Sequence, residues 1–124
     1  MKKIFLPFLL SFCFYPGFSQ TPGAAELHET AKVFMRQGDY ANAILVLNRS
    51  MLTEPQNISV AKDLALSYYF QKENTKALEV IKTVLDREEA DDQCFQIAAN
   101  IYKQLDMLKE CEKLYKKGLK KFPD

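Results

Sequence analysis

The chain has one histidine and four glycines in 124 residues, and its charges nearly cancel. Each shortage removes a class of function. His28 stands alone, with no nucleophile–base–acid set near it in sequence, so triad-type catalysis has no foothold and His28 reads as a surface side chain. The glycines are too few and scattered to form a phosphate-cradling loop. Cys94 and Cys111 have the wrong spacing for a zinc site, so no metal and no cofactor is expected. A formal charge of +1 gives no clustered-cation drive toward nucleic acid. No useful stretch alternates with a period of two, which excludes a sheet. The chain reads as a non-enzyme.

The first twenty residues differ from the rest. Met1-Lys2-Lys3 is a short cationic start, and an apolar run follows from Ile4 to Tyr15, broken only by Pro7 and Ser11. Gly17 and Ser19 then supply small residues. This is the layout of a cleavable signal peptide over residues 1–19, with cleavage between Ser19 and Gln20. The apolar run is shorter than the roughly 20 residues that span a bilayer, so an uncleaved anchor is the weaker reading. Cys13 could suggest lipid attachment, but Phe12 before it is too bulky for a bacterial lipobox. Phe18-Ser19-Gln20 resembles export signals of Bacteroidota-type bacteria. That implies the periplasm or cell envelope of a Gram-negative bacterium, with no membrane span after cleavage. Cleavage removes Lys2 and Lys3, leaving 15 basic and 16 acidic side chains and a net charge of −1. The exported state and the neutral charge also disfavour helical repeats that read RNA.

What is present is periodicity. Ala31, Ala65 and Ala99 stand 34 residues apart, as do Phe34, Tyr68 and Tyr102, and Ala43, Ala77 and Cys111. Leu47, Ile81 and Tyr115 keep the same step, as do Met51, Leu85 and Leu119. A fixed period of this length marks an array of stacked supersecondary units. Within each period the apolar residues step by three and four, painting one stripe on each of two helices. The expected fold is all-α, built from six helices. Gly38-Asp39 and Glu54-Pro55-Gln56-Asn57 fall where helices must break, and Asn57 can cap the next helix. Glu88, Glu89, Asp91 and Asp92 sit at the start of the fifth helix, where carboxylates meet the positive end of its dipole. The small residues should face one another across each antiparallel pair, with the aromatic filling the space beside them. Cys111 then stands in for alanine as a small buried thiol.

These residues together resemble tetratricopeptide repeats, with units at 24–57, 58–91 and 92–124 after a short linker at 20–23. Gly38-Asp39-Tyr40-Ala41-Asn42-Ala43 looks like that family's hairpin turn, and Leu47, Ser50, Pro55 and the closing Phe122-Pro123-Asp124 follow its spacing. Thr30, Leu27, Phe95 and Glu89 depart from it. The resemblance implies a right-handed solenoid of three hairpins whose first helices line a concave groove. Cys94 and Cys111 then lie at opposite ends of their hairpin, too far apart for a bridge that needs Cα atoms within about 7 Å, so both thiols should be free.

The resemblance also implies the working surface. The groove set is Lys32, Met35 and Arg36 with His28, then Lys62, Leu66, Tyr69 and Phe70, then Asn100 and Lys103 with Gln96 and Gln104. Such a basic, partly aromatic trough suits an extended peptide or helix with acidic and apolar side chains. The family's carboxylate clamp is not expected, because its positions carry His28, Lys32, Asp63, Gln93 and Ile97. The leading function is an exported interaction module for a cell-envelope protein. The alternative is an accessory or shortened relative of a larger envelope protein whose activity lies in a missing domain. The sixth helix is rich in lysine and glutamate and reads as a polar terminal face that lets the short array stand alone, with self-association as a possible supplement.

Overall fold

A computed structural model describes residues 21–123, so the expected signal segment 1–19 lies outside the described residues. Six helices and no strand form among the described residues: α1 (Ala24–Arg36), α2 (Tyr40–Thr53), α3 (Ile58–Phe70), α4 (Asn74–Leu85), α5 (Asp92–Gln104) and α6 (Leu108–Lys121). The odd helices begin at 24, 58 and 92 and the even ones at 40, 74 and 108, so every hairpin restarts after 34 residues. The sequence period is therefore the hairpin period.

Each hairpin closes in the same way. The residue after the first helix's cap is left-handed: Gly38 at φ 73°, Lys72 at 64° and Asp106 at 57°. In the first hairpin the Gly38 N–H donates to Met35 O and the Asp39 N–H to Phe34 O. Lys72 and Glu73 repeat the pair of bonds onto Tyr69 and Tyr68, and Asp106 and Met107 onto Lys103 and Tyr102. This double bond pattern satisfies the last orphan carbonyls of a helix and turns the chain sharply. Glycine suits the left-handed position, whereas Lys72 adopts it against the clash of its own Cβ. Side-chain caps start α2, α3 and α5, where Asp39, Asn57 and Asp91 accept from the N–H three residues on.

Inside each hairpin the small residues meet as their register requires. Ala31, Ala43, Ala65 and Ala77 are fully buried, and Ala99 and Cys111 nearly so. In the third hairpin the Cys111 Sγ lies 3.8 Å from the Ala99 carbonyl oxygen, a direct measure of how closely the two backbones approach. Phe34, Tyr68 and Tyr102 pack beside these pairs. Cys94 and Cys111 are both free and both buried. Burial pushes the Cys94 thiol above its ordinary value of 9.0, so it is a packing group rather than a nucleophile.

Neighbouring hairpins nest through α3 against α2 and α5 against α4. Across hairpins the backbones of α1 and α3, and of α3 and α5, approach closely, whereas those of α2, α4 and α6 stay further apart, with α6 reaching the end of α4 through the Lys117–Asp86 pair. A stack that is tighter on one side than the other must curve, and here α1, α3 and α5 form its inner side. Leu47 and Ile81, at matching positions of α2 and α4, are fully covered by the hairpin that follows each. Burying a side chain of this size contributes about 1.5–3 kcal/mol. The core runs as two clusters, one around Leu47 and Leu64 and one around Ile81 and Ile101, with Met51, Tyr68 and Val80 packed against both.

Candidate functional site

The register of 34 lays the inner side chains of α1, α3 and α5 in rows across the concave face. One row is Lys32, Leu66 and Asn100, a second Met35, Tyr69 and Lys103, and a third Arg36, Phe70 and Gln104. The middle of this surface is apolar. Leu66 and Tyr69 are half-buried against the main core, and Met35 is half-buried against the first cluster. Phe70 is about half exposed at 48 %. It stacks on Tyr40 of the preceding hairpin with ring centroids 4.7 Å apart, while Tyr69 meets its edge at 5.6 Å. The three rings thus form one aromatic ledge at the turn end of the face.

The cations are distributed differently from the sequence expectation. Lys62 is not a free groove charge. Its ammonium donates to Asp91 Oδ2 at 2.7 Å and to Gln93 Oε1 at 2.9 Å, tying α3 to the cap of α5. This bond holds the Asp91 carboxyl below its ordinary value of 3.8, against the opposing effect of desolvation. His28 is not a surface histidine either. It is 8 % exposed, and its Nε2 lies 2.7 Å from Asp63 Oδ2, joining α1 to α3. Lys32 pairs with Glu29 at 2.7 Å within its own helix. Arg36 and Lys103 form no ion pair among the described residues, and Lys103 lies 5.5 Å from the Tyr115 ring centroid. The Tyr115 side chain raises the Lys103 ammonium above its ordinary value. The trough is thus less basic than its composition, because two of its charged positions are struts between hairpins.

A second feature was not legible as a site. Between α5 and α6, on the side where a further hairpin would stack, lies a cavity of about 370 Å³ floored by Phe95, Ala99, Leu114, Tyr115 and Leu119. The lysine-rich outline of α6 suggested a polar terminal face; instead Tyr115 is 49 % exposed and Leu119 67 % exposed. Phe95 is accommodated there by Gly118, whose missing Cβ would sit 3.3 Å from the ring. By the 34-residue register, Leu27 and Ala61 hold the position of Phe95 in the earlier hairpins, and Ser50 and Val84 that of Gly118.

No group of acidic, histidine and cysteine side chains among the described residues could hold a metal ion. No helix among them is long and apolar enough to cross a membrane.

The family described as anaphase-promoting complex, cyclosome, subunit 3 matches residues 36–118. The chain belongs to this family of tetratricopeptide repeats. Similar solved structures include the first repeat domain of Spaghetti (RPAP3) bound to the HSP90 peptide SRMEEVD. It has 22 % identity and a TM-score of 0.75 over 82 % of this chain and 80 % of that one. The Sgt2 tetratricopeptide domain of Aspergillus fumigatus has 20 % identity and a TM-score of 0.73 over 84 % and 69 % of the two chains. The N-terminal domain of stress-induced protein-1 of C. elegans has 17 % identity and a TM-score of 0.73 over 82 % and 85 %. At these identities the likeness is one of fold. No curated protein matches. A tetratricopeptide assignment accounts for the six-helix order, the turn geometry and the curved stack together.

Proposed function

We propose that this protein is an exported interaction module that holds a peptide or helix of a cell-envelope partner along its concave face. The observation that carries the reading is the set of three rows spaced by the repeat, with Met35, Leu66, Tyr69 and Phe70 left partly open at their centre. Adjacent helices pack about 8–10 Å apart, so a row across three hairpins spans roughly 20 Å, the reach of about six extended residues. The ledge of Tyr40, Tyr69 and Phe70 supplies rigid aromatic area of the kind that anchors partners. Arg36 shares its row with Phe70, which favours acidic side chains on the ligand. The first repeat domain of Spaghetti (RPAP3) is bound to the HSP90 peptide SRMEEVD, so a domain of this fold holds an acidic peptide in that protein. A carboxylate clamp does not suit this chain, since Asp63 would oppose a carboxylate and Ile97 is buried.

The export reading rests on the first nineteen residues and is tested by sequencing the N-terminus of protein made in its own cell; the mature chain should begin at Gln20. For the site, a photo-crosslinking residue is placed at Tyr69 and, as a convex control, at Leu52, which is 85 % exposed. The expected result is one partner cross-linked from Tyr69 and not from Leu52, and lost when Arg36→Glu is added. Equal labelling from both positions would reject the concave face as the site.

A further inference from the structure

The inner helices α1, α3 and α5 pair their backbone groups along their own axes, so an extended chain lying across them meets no strand edge. Only side chains answer its main chain, and each ligand N–H left without a partner weakens binding. Proline carries no N–H and arrives with its φ already fixed, which removes part of that loss and of the ordering entropy.

Spacing points the same way. In a polyproline II chain the residues that share a face recur every third position, about 9 Å apart. The backbone of α3 approaches those of α1 and α5 closely, and packed helices lie about 8–10 Å apart. A polyproline II chain crossing the stack therefore sets every third residue over the next member of a row. In the row of Arg36, Phe70 and Gln104 those members are a cation, a ring and an amide.

The ring position is preorganised. Phe70 is 48 % exposed, stacks on Tyr40 at an interplanar angle of 21° and meets Tyr69 at 69°. Two rings meeting this steeply leave an apolar notch, and aromatic-lined grooves of this kind take proline. Arg36 is exposed at the end of α1, one helix away, and complements a carboxylate. Gln104 is exposed on α5, where its amide can donate to a ligand carbonyl.

We propose that the concave face recognises a proline-containing segment in the polyproline II conformation. Its proline sits in the notch between Tyr69 and Phe70, and an aspartate or glutamate three positions away lies over Arg36. This inference rests on the concave-face reading above and adds the chemistry of the ligand to it.

Random dodecapeptides displayed on phage are selected on the full mature chain. The expected result is enrichment of proline over its frequency in the library, with an acidic residue three positions from it in either direction. A synthetic consensus peptide, followed by anisotropy, should bind about ten-fold more weakly when its proline becomes alanine, and likewise to Phe70→Ala and to Arg36→Glu. Its binding to Leu52→Ala, on the convex side, should be unchanged. Arg36 and Phe70 are exposed enough for the variants to keep the fold, which matching circular dichroism spectra check. Enriched peptides that lack proline yet still require Phe70 overturn the proposal and leave the concave-face reading standing. Proline without an acid at the fixed spacing, or binding indifferent to Arg36→Glu, overturns it as well. No enrichment also overturns it, while a partner cross-linked from Tyr69 would still uphold the concave face. Binding indifferent to both Phe70→Ala and Arg36→Glu overturns the two readings together.

Discussion

The second and third hairpins share a register and a turn, yet their outer seats differ completely. In the second, Ile81 and Leu85 are sealed beneath α5; in the third, Tyr115 and Leu119 at the same positions face solvent. The difference lies in the neighbour. In a repeat array half of each unit's apolar surface is defined by the next unit, so one position can be core in one repeat and surface in another. The wide exposure at α6 is therefore a property of stacking order rather than of residue choice.

The comparison is broken most forcefully by truncation. Ile81→Ala should cost about 2–5 kcal/mol, the range for deleting a buried branched side chain. Leu119→Ala, two-thirds exposed, should stay within about 0.5 kcal/mol of the parent. Urea unfolding followed by circular dichroism measures both. Equal losses would mean that α6 is covered in solution.

A smaller effect tests the joint between the same two hairpins. Asp91 caps α5 by accepting from the Cys94 N–H at 3.0 Å while it receives the Lys62 ammonium. Asp91→Ala should cost about 1 kcal/mol from the lost cap alone, whereas Asp91→Asn keeps the cap and loses the charge. Because Lys62 lowers the folded-state value of Asp91, its stabilisation is complete above the unfolded value and is lost as pH falls through the folded one. The parent should lose more stability than Asp91→Asn between pH 5 and pH 2, read from urea midpoints. Parallel curves would show that Lys62 and Asp91 do not interact in solution.

The smallest effect sharpens the likeness of the turns. Lys72→Gly should stabilise by about 0.5–1 kcal/mol, since it relieves a left-handed residue at the cost of some unfolded-state entropy. Asp106→Gly should gain less, because aspartate tolerates that conformation better. Thermal midpoints check the order; a destabilised Lys72→Gly would contradict the shared turn geometry.

Much of this was legible in the chain itself. The step of 34 residues, the small pairs at Ala65 and Ala77, and the Gly38 turn are local patterns with one physical solution. The site was less legible for a definite reason. Lys62 and Asp91 are 29 residues apart, and His28 and Asp63 are 35 apart, so their commitment to each other appears only once the hairpins nest. Tyr115 carried the same register as Leu47 and therefore looked like core. Periodicity reports which face of a helix is apolar, and not whether anything lies against it. Lys72 and Asp106 hid the repeated turn, because neither residue signals a left-handed backbone as Gly38 does.

Thiol labelling at the three matched positions tests the nesting most directly. Leu47→Cys, Ile81→Cys and Tyr115→Cys are each introduced singly, with Cys94 and Cys111 buried in the background. If each hairpin is sealed by the next, the first two thiols react only as fast as the protein opens, while the third reacts at nearly the rate of a free peptide. Similar rates at all three positions would contradict a stack of nested hairpins.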